Sequence, residues 1–311
     1  MKLASSHEFS KQQKKTLKKA HTIEYISILH MSSVVLLMYL VMGSSQAMKT
    51  AWVEDILSLI PPLVFLITCK FRNKKPNKNF QYGFHRVVSF GFFISAISLL
   101  VMGVYLAIDS SLTLINQDHP SIGLKSFFGR DIWLGWWMLL VLAWGSLPPV
   151  VFGHIKKKLS KPLHNKVLYT DGDMNKADWQ TGLATMLGVL GIGFGYWWTD
   201  AVAALFISIN VLKDGLKHTK DGFTELMNRS PKNLEGDYLH LPDEVEKALE
   251  DDDEILSANA RMYEHGHVIF GDVFIKTQSK KINEDKIKAL QKKIHSLDWR
   301  LNEVTITLDT D

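Results

Sequence analysis

The sequence predicts an α-helical membrane protein with six transmembrane helices, followed by a C-terminal cytoplasmic α+β domain. Three observations predict it. Nearly all the long apolar runs of the 311 residues lie between 25 and 218. They divide into six segments of membrane length, at about 25–44, 50–69, 87–110, 131–153, 171–192 and 198–217, each near the roughly 20 residues that a bilayer core requires. The basic residues alternate between links, and after residue 218 the chain becomes charged throughout.

Three parts follow: a basic cytoplasmic arm over 1–24, a transmembrane domain over 25–218 and a cytoplasmic α+β domain over 219–311. The arm carries Lys2, Lys11, Lys14, Lys15, Lys18 and Lys19. It suits an amphipathic helix on anionic lipid, or a topological signal that holds the N-terminus in the cytoplasm. The link between segments two and three holds Lys70, Arg72, Lys74, Lys75, Lys78 and Arg86, and that between four and five holds Lys156, Lys157, Lys158, Lys161 and Lys166. The other links are poor in Lys and Arg. By the positive-inside rule the basic links and both termini are cytoplasmic, as an even number of spans requires. The single cysteine, Cys69, excludes an intrachain disulfide.

Within the spans, Pro61-Pro62 and Pro148-Pro149 are expected to kink or break their helices. The C-terminal part reads as a helix over 242–250, strands over 255–263 and 268–276, a helix from 283 or 284 to 297 and a strand over 301–308. That order, αββαβ, covers one sheet face with helices.

Chemistry concentrates in Asp171-Gly172-Asp173-Met174-Asn175-Lys176-Ala177-Asp178, which opens the fifth segment. Carboxylates in a membrane-length segment face a packed interior or a water-filled cavity. Asp171, Met174 and Asp178, spaced i, i+3 and i+7, share one helix face, a stripe suited to a cation site. Asp171 and Asp173 have an alternative reading as acids in a helix's first turn. In segment two, the adjacent Glu54 and Asp55 lie about 100° apart on a helix, so that one lines a site while the other pairs elsewhere; the alternative places both in the outer headgroup zone. Asp55, Asp178, Met174, Glu54 and Asp171 are therefore the candidate metal ligands. His30 and His154 are the nearest histidines, and a lone His in an apolar helix is more often a packing residue. A desolvated carboxylate takes up either a proton or a cation, so both compete for one site. No nucleophile–base constellation or nucleotide loop is present, which argues against an enzyme. No cofactor and no nucleic-acid partner are expected.

The six spans, the Tyr82-Gly83-Phe84-His85-Arg86 entry to segment three, the acidic opening of segment five, Thr199-Asp200 at segment six and the αββαβ tail resemble the cation diffusion facilitators. The resemblance runs from about residue 25 to 309. It implies a homodimeric antiporter exchanging cytoplasmic zinc, iron, manganese or a similar divalent cation for protons, in a bacterial inner membrane, with a metallochaperone-like C-terminal domain. It also implies a transport site with two ligands from segment two and a His-x-x-x-Asp pair from segment five. Here that pair is Met174-x-x-x-Asp178, and segment two offers Asp55 with Leu59, or Glu54 with Ser58. The replaced ligands leave a second reading open, a transport-inactive membrane metal sensor or scaffold. His265 and His267 flank a hairpin turn and read as turn residues before metal ligands.

Overall fold

The computed structural model describes residues 9–41, 46–72, 74–117, 124–127, 130–278 and 283–309. A long helix opens it: α1 (Lys11–Val41) spans 31 residues, about 46 Å at 1.5 Å per residue, well beyond the roughly 30 Å of a bilayer core. The basic arm from Lys11 onward is therefore continuous with the first apolar segment. The second segment is broken into α2 (Gln46–Leu57) and α3 (Ile60–Arg72) at Ser58–Leu59. Pro61 and Pro62 supply no N–H to the preceding turn, and both fit the first turn of a new helix. The chain continues through α4 (Arg86–Asn116), a hairpin of β1 (Leu124–Phe127) and β2 (Arg130–Trp133), α5 (Leu134–Leu163), α6 (Lys166–Gly193) and α7 (Thr199–Leu226). Helix α5 runs on through Pro148-Pro149 and ends only at Leu163. The lysines 156–161, expected in a loop, therefore occupy its last turns.

Among the described residues, four helical stretches are long and apolar enough to cross a membrane: Lys11–Val41, Ala51–Arg72, Arg86–Asn116 and Leu134–Leu163. Helices α6 and α7, expected as the fifth and sixth spans, each run for 28 residues but carry more charge, and much of α6 is buried among its neighbours. A helix shielded by other helices has no need of a uniformly apolar surface.

The C-terminal residues form α8 (Leu241–Glu250), β3 (Ile255–His265), β4 (Val268–Thr277), α9 (Glu284–His295) and β5 (Leu301–Leu308). The sheet order is β3-β4-β5, antiparallel between β3 and β4 and parallel between β4 and β5. The parallel pair needs a crossover connection, and α9 is that crossover. Leu241, Val245 and Leu249 of α8 and Leu290 and Ile294 of α9 cover one sheet face, meeting Ile269, Val273 and Ile275 of β4.

Two buried ion clusters fasten the helices. In the first, Lys156 of α5 is fully buried, with Nζ 2.8 Å from Asp171 of α6 and 3.0 Å from Glu24 of α1. The same ammonium donates to Ser27 Oγ at 2.9 Å. In the second, Lys166 at the start of α6 pairs with Glu225 of α7 at 2.7 Å and with Glu264 of β3. His164 lies 3.8 Å from Glu264, and the Arg300 guanidinium lies 3.2 Å from the His164 ring. This cluster seats the β3–β4 hairpin against the helices. The hairpin tip is Gly266, with φ of +67°, and its N–H donates to Ser89 Oγ of α4 at 2.6 Å. A Cβ there would lie 2.6 Å from Val88, so the left-handed conformation and the close approach both call for glycine.

Two outcomes follow from the clusters. Lys156→Met leaves Glu24 and Asp171 buried together without their cation, an arrangement expected to cost about 3–5 kcal/mol. The midpoint of thermal unfolding in detergent should fall, and adding Glu24→Gln and Asp171→Asn should restore most of it; an unchanged midpoint in the single variant would mean the triad carries no net stabilisation. For Glu264, burial alone raises the carboxyl, but the Lys166 ammonium, with His164 beside it, outweighs burial and holds it at about 2. A carboxyl held low in the folded state contributes stability that is fully present above its ordinary value of 4.5 and is lost as pH falls towards 2. Acid unfolding of wild type and Glu264→Gln should therefore diverge above pH 4.5 and converge at low pH.

Candidate functional site: a carboxylate cavity between four helices

Helices α1, α2, α5 and α6 enclose a small cavity of about 20 Å³, room for one water or one ion of similar size. Glu54 and Asp55 of α2 and Asp178 of α6 line it, together with Met38, Ser146 and Thr181. The cavity exists because α5 and α6 approach closely: a Cβ on Gly182 would fall 1.9 Å from Ser146 Oγ. The break after α2 supplies a further group. Ser58, the first residue past the helix, donates its hydroxyl to Asp178 Oδ1 at 2.5 Å.

Two further carboxylate oxygens border the site. Asp55 Oδ2 and Asp178 Oδ2 are both buried and have no hydrogen-bond partner among the described residues. Buried polar atoms are nearly always satisfied, and an orphaned carboxylate oxygen is more costly than a neutral one. Two carboxylates facing one buried cavity repel each other unless protons or a cation lie between them. The arrangement can therefore hold a small cation or protons. Glu54 is 5% exposed and shares the wall.

The other predicted residues lie elsewhere. Asp171 is held by Lys156 in the ion triad. Its helix begins at Lys166 with Asn165 as N-cap, whose side chain accepts from Leu168 N at 3.0 Å, so Asp171 and Asp173 lie beyond the capping positions. Asp173 pairs with Lys157 and with His218 Nε2, the latter at 2.9 Å. Met174 is fully buried and packs with Leu99, Met102 and Leu106 of α4 and Val211 of α7; it is absent from the cavity wall. The structure thus brings together Glu54, Asp55 and Asp178 and separates them from Asp171 and Met174. Among the described residues, no group of three His, Cys, Asp or Glu side chains assembles as a metal cluster.

His30 is wedged between Trp144 and Phe152, with ring centroids at 5.0 and 5.5 Å, a packing role. His154 Nδ1 donates one bond, to Val150 O, at 2.7 Å. His265 and His267 flank the hairpin turn. Burial, with Arg86 and His85 nearby, lowers the His265 imidazole to about 4 and keeps it neutral. The sequence reading missed Thr181, Glu24 and the buried state of Lys156. Thr181 lies three residues after Asp178, and that spacing was its available signal.

Residues 25–227 match the family model of the cation efflux transmembrane domain. Over 182 residues the chain is 26% identical to the cadmium, cobalt and zinc/H(+)-K(+) antiporter of Bacillus subtilis, covering 58% of this chain and 54% of that one. The antiporter of the same name from Bacillus velezensis is 26% identical over 195 residues, covering 62% of this chain and 57% of its own length. A protein of Schizosaccharomyces pombe called an uncharacterized metal transporter is 27% identical over 180 residues, 54% of this chain and 45% of its own. The chain spans about half the length of these relatives. The family match takes in well over half of the sequence, including every helix that lines the carboxylate cavity, and the chain belongs to the cation efflux family, the cation diffusion facilitators.

Proposed function

We propose that the protein is a secondary transporter that exports a divalent transition-metal cation from the cytoplasm in exchange for protons. The observation that carries this reading is the pair of orphaned oxygens, Asp55 Oδ2 and Asp178 Oδ2, on one buried cavity. A divalent cation neutralises two carboxylates at once, and protons neutralise them when it leaves. Exchange needs no covalent step and no resident cofactor, and the chain is a transporter rather than an enzyme. The names of the Bacillus relatives, antiporters of cadmium, cobalt and zinc against protons and potassium, support the same class.

The ligand set proposed is Asp55 and Asp178, with Glu54, Ser58 and Thr181 as supplementary oxygens. Met174 shapes the helix packing one turn away, and Asp171 acts through Lys156. An all-oxygen set lacking imidazole and thiolate favours manganese over zinc or cadmium. The full architecture on this reading has six spans, α6 and α7 being the last two. Both termini and the metallochaperone-like αββαβ domain lie in the cytoplasm of a bacterium, and the unit in the membrane is a homodimer. The second reading, a transport-inactive metal sensor or scaffold, is favoured by the lack of a three-ligand cluster among the described residues. Manganese-driven proton flux across the membrane of proteoliposomes, continuing over many turnovers, separates the two: the transporter sustains it, whereas the sensor releases at most the protons displaced by one round of binding.

Asp178→Asn keeps the side chain's shape and loses its charge and proton. Even outer partners of metal ligands are worth roughly 10- to 100-fold in affinity or activity, so transport should fall by about 100-fold or to background in a folded protein. Met174→His, by contrast, should leave manganese affinity unchanged and lower stability by about 1–3 kcal/mol, the usual loss on burying an unpartnered polar group. Calorimetric titration of both variants and wild type reads this. A manganese affinity that rises in Met174→His would put position 174 back at the site. Wild-type transport in Asp178→Asn would remove the cavity from the mechanism.

Topology is checked separately. Single cysteines at Lys75 and at the exposed Lys161 should label only from the cytoplasmic side, with Cys69 buried and silent. Labelling of either from outside would overturn the orientation.

A further inference from the structure

Where α1 and α5 leave the membrane, an open groove of about 580 Å³ runs between them. Lys15, Lys18, Lys19, Ile23 and Ile26 of α1 and Ile155, Lys158 and Leu159 of α5 line it. The α1 residues form one helix face, spaced i, i+3, i+4, i+8 and i+11. The two helices are antiparallel, since Ser27 meets Lys156, His30 meets Phe152 and Ser33 meets Trp144. On α1 charge gives way to apolar surface along the helix, and on α5 Lys158 stands between Ile155 and Leu159 beside that apolar stretch. Beyond the groove the outward faces stay apolar, with Leu29, Leu36, Leu147 and Val151 exposed.

Four lysines are gathered here. The nearest buried acids, Glu24 and Asp171, are taken by Lys156 behind the groove. Among the described residues no ion pair engages any of the four lysines, whereas Lys157, Lys166 and Lys176 on neighbouring faces each have a carboxylate within 4.0 Å. Clustered like charges repel, and a cluster at a membrane surface is stabilised by a complementary anion. The apolar floor, continuous with the lipid-facing helix surfaces, adds a requirement for a hydrocarbon chain.

We propose that this groove binds an anionic phospholipid, with Lys15, Lys18, Lys19 and Lys158 around its phosphate headgroup and Ile23, Ile26, Ile155 and Leu159 along its acyl chains. The site is separate from the carboxylate cavity and its occupancy does not depend on whether the cavity transports metal. The lipid braces α1 against α5 at the end of the helix pair that Lys156 joins.

The test is native mass spectrometry of the full-length protein released from vesicles of mixed phosphatidylglycerol and phosphatidylcholine. Wild type should retain phosphatidylglycerol in preference to phosphatidylcholine. A variant with Lys15→Gln, Lys18→Gln, Lys19→Gln and Lys158→Gln should lose that preference. A control with Lys70→Gln, Lys74→Gln, Lys75→Gln and Lys78→Gln, equal in charge removed, should keep it. Lys18→Gln and Lys158→Gln alone should each weaken retention about fivefold, the Boltzmann equivalent of the ~1 kcal/mol that one lysine contributes at an anionic surface; these single changes also serve if the quadruple variant fails to fold. Equal loss in the groove and control variants would show diffuse surface attraction and overturn the site. Unchanged retention in the single variants would overturn it as well. Displacement of the lipid by inorganic phosphate would show that a free anion fills the lysine cluster and would overturn the lipid assignment.

Discussion

The buried ammonium of Lys156 is the constraint on which the helix arrangement depends. It is flanked by two carboxylates from two other helices, Glu24 and Asp171, and by the Ser27 hydroxyl. A charge removed from water is tolerable only with close, well-directed partners, and losing one partner exposes the rest to the full desolvation cost. The three groups therefore fix α1, α5 and α6 in rotation and in depth together. Apolar packing alone fixes neither well, because lipid is as apolar as the helix surfaces that it would replace.

The carboxylate cavity inherits its geometry from that fixed trio. Asp178 follows Asp171 by seven residues on α6, about 10 Å along the axis. The cavity thus lies about two turns from the triad, with α2 added as its fourth wall. Helix α2 contributes a discontinuity as well as acids. Its end at Leu57 leaves Ser58 outside the regular helix, where the hydroxyl reaches Asp178. Irregular backbone at membrane depth is tolerated where it borders protein or a cavity, and here it borders both. On the proposed exchange, the Ser58 hydroxyl holds one Asp178 oxygen in place and leaves the other to the cation or proton.

Much of this organisation was legible in the sequence. The apolar segments and basic links located the helical domain, and the alternation over Leu301–Leu308 located the last strand. Pro61-Pro62 signalled the break in the second segment. Asp55 and Asp178, charged residues inside apolar surroundings, stood out because such residues need a reason to be there. What the sequence hid was rotation. Asp171, Met174 and Asp178 do share a broad face of α6, but that face meets α5, α4 and α2 at successive levels, so each residue has a different neighbour. Periodicity gives a direction from one helix and carries nothing about which partner lies there. Lys156 was hidden for a related reason. In the run Lys156-Lys157-Lys158 the charges look alike, and only the neighbours separate a buried ammonium from one paired with Asp173 and one in the lipid groove.

Helix α6 links these separate charges into one mechanical element. Its first residue, Lys166, holds Glu264 of the β3–β4 hairpin and Glu225 of α7; Asp171 holds Lys156; and Asp178 faces the cavity. All three lie within 13 residues of one continuous helix, roughly 18 Å of rigid rod. A rod so pinned cannot slide or turn at the cavity without straining an ion cluster at the triad or at the hairpin. The hairpin contacts at Ser89 and Lys166 and the cavity residue Asp178 are thus joined through one helix. Packed interiors switch between discrete arrangements rather than deforming smoothly. The two ion clusters therefore restrict the positions that α6 can occupy, and on the proposed exchange those positions would set the cavity's access to either side of the membrane.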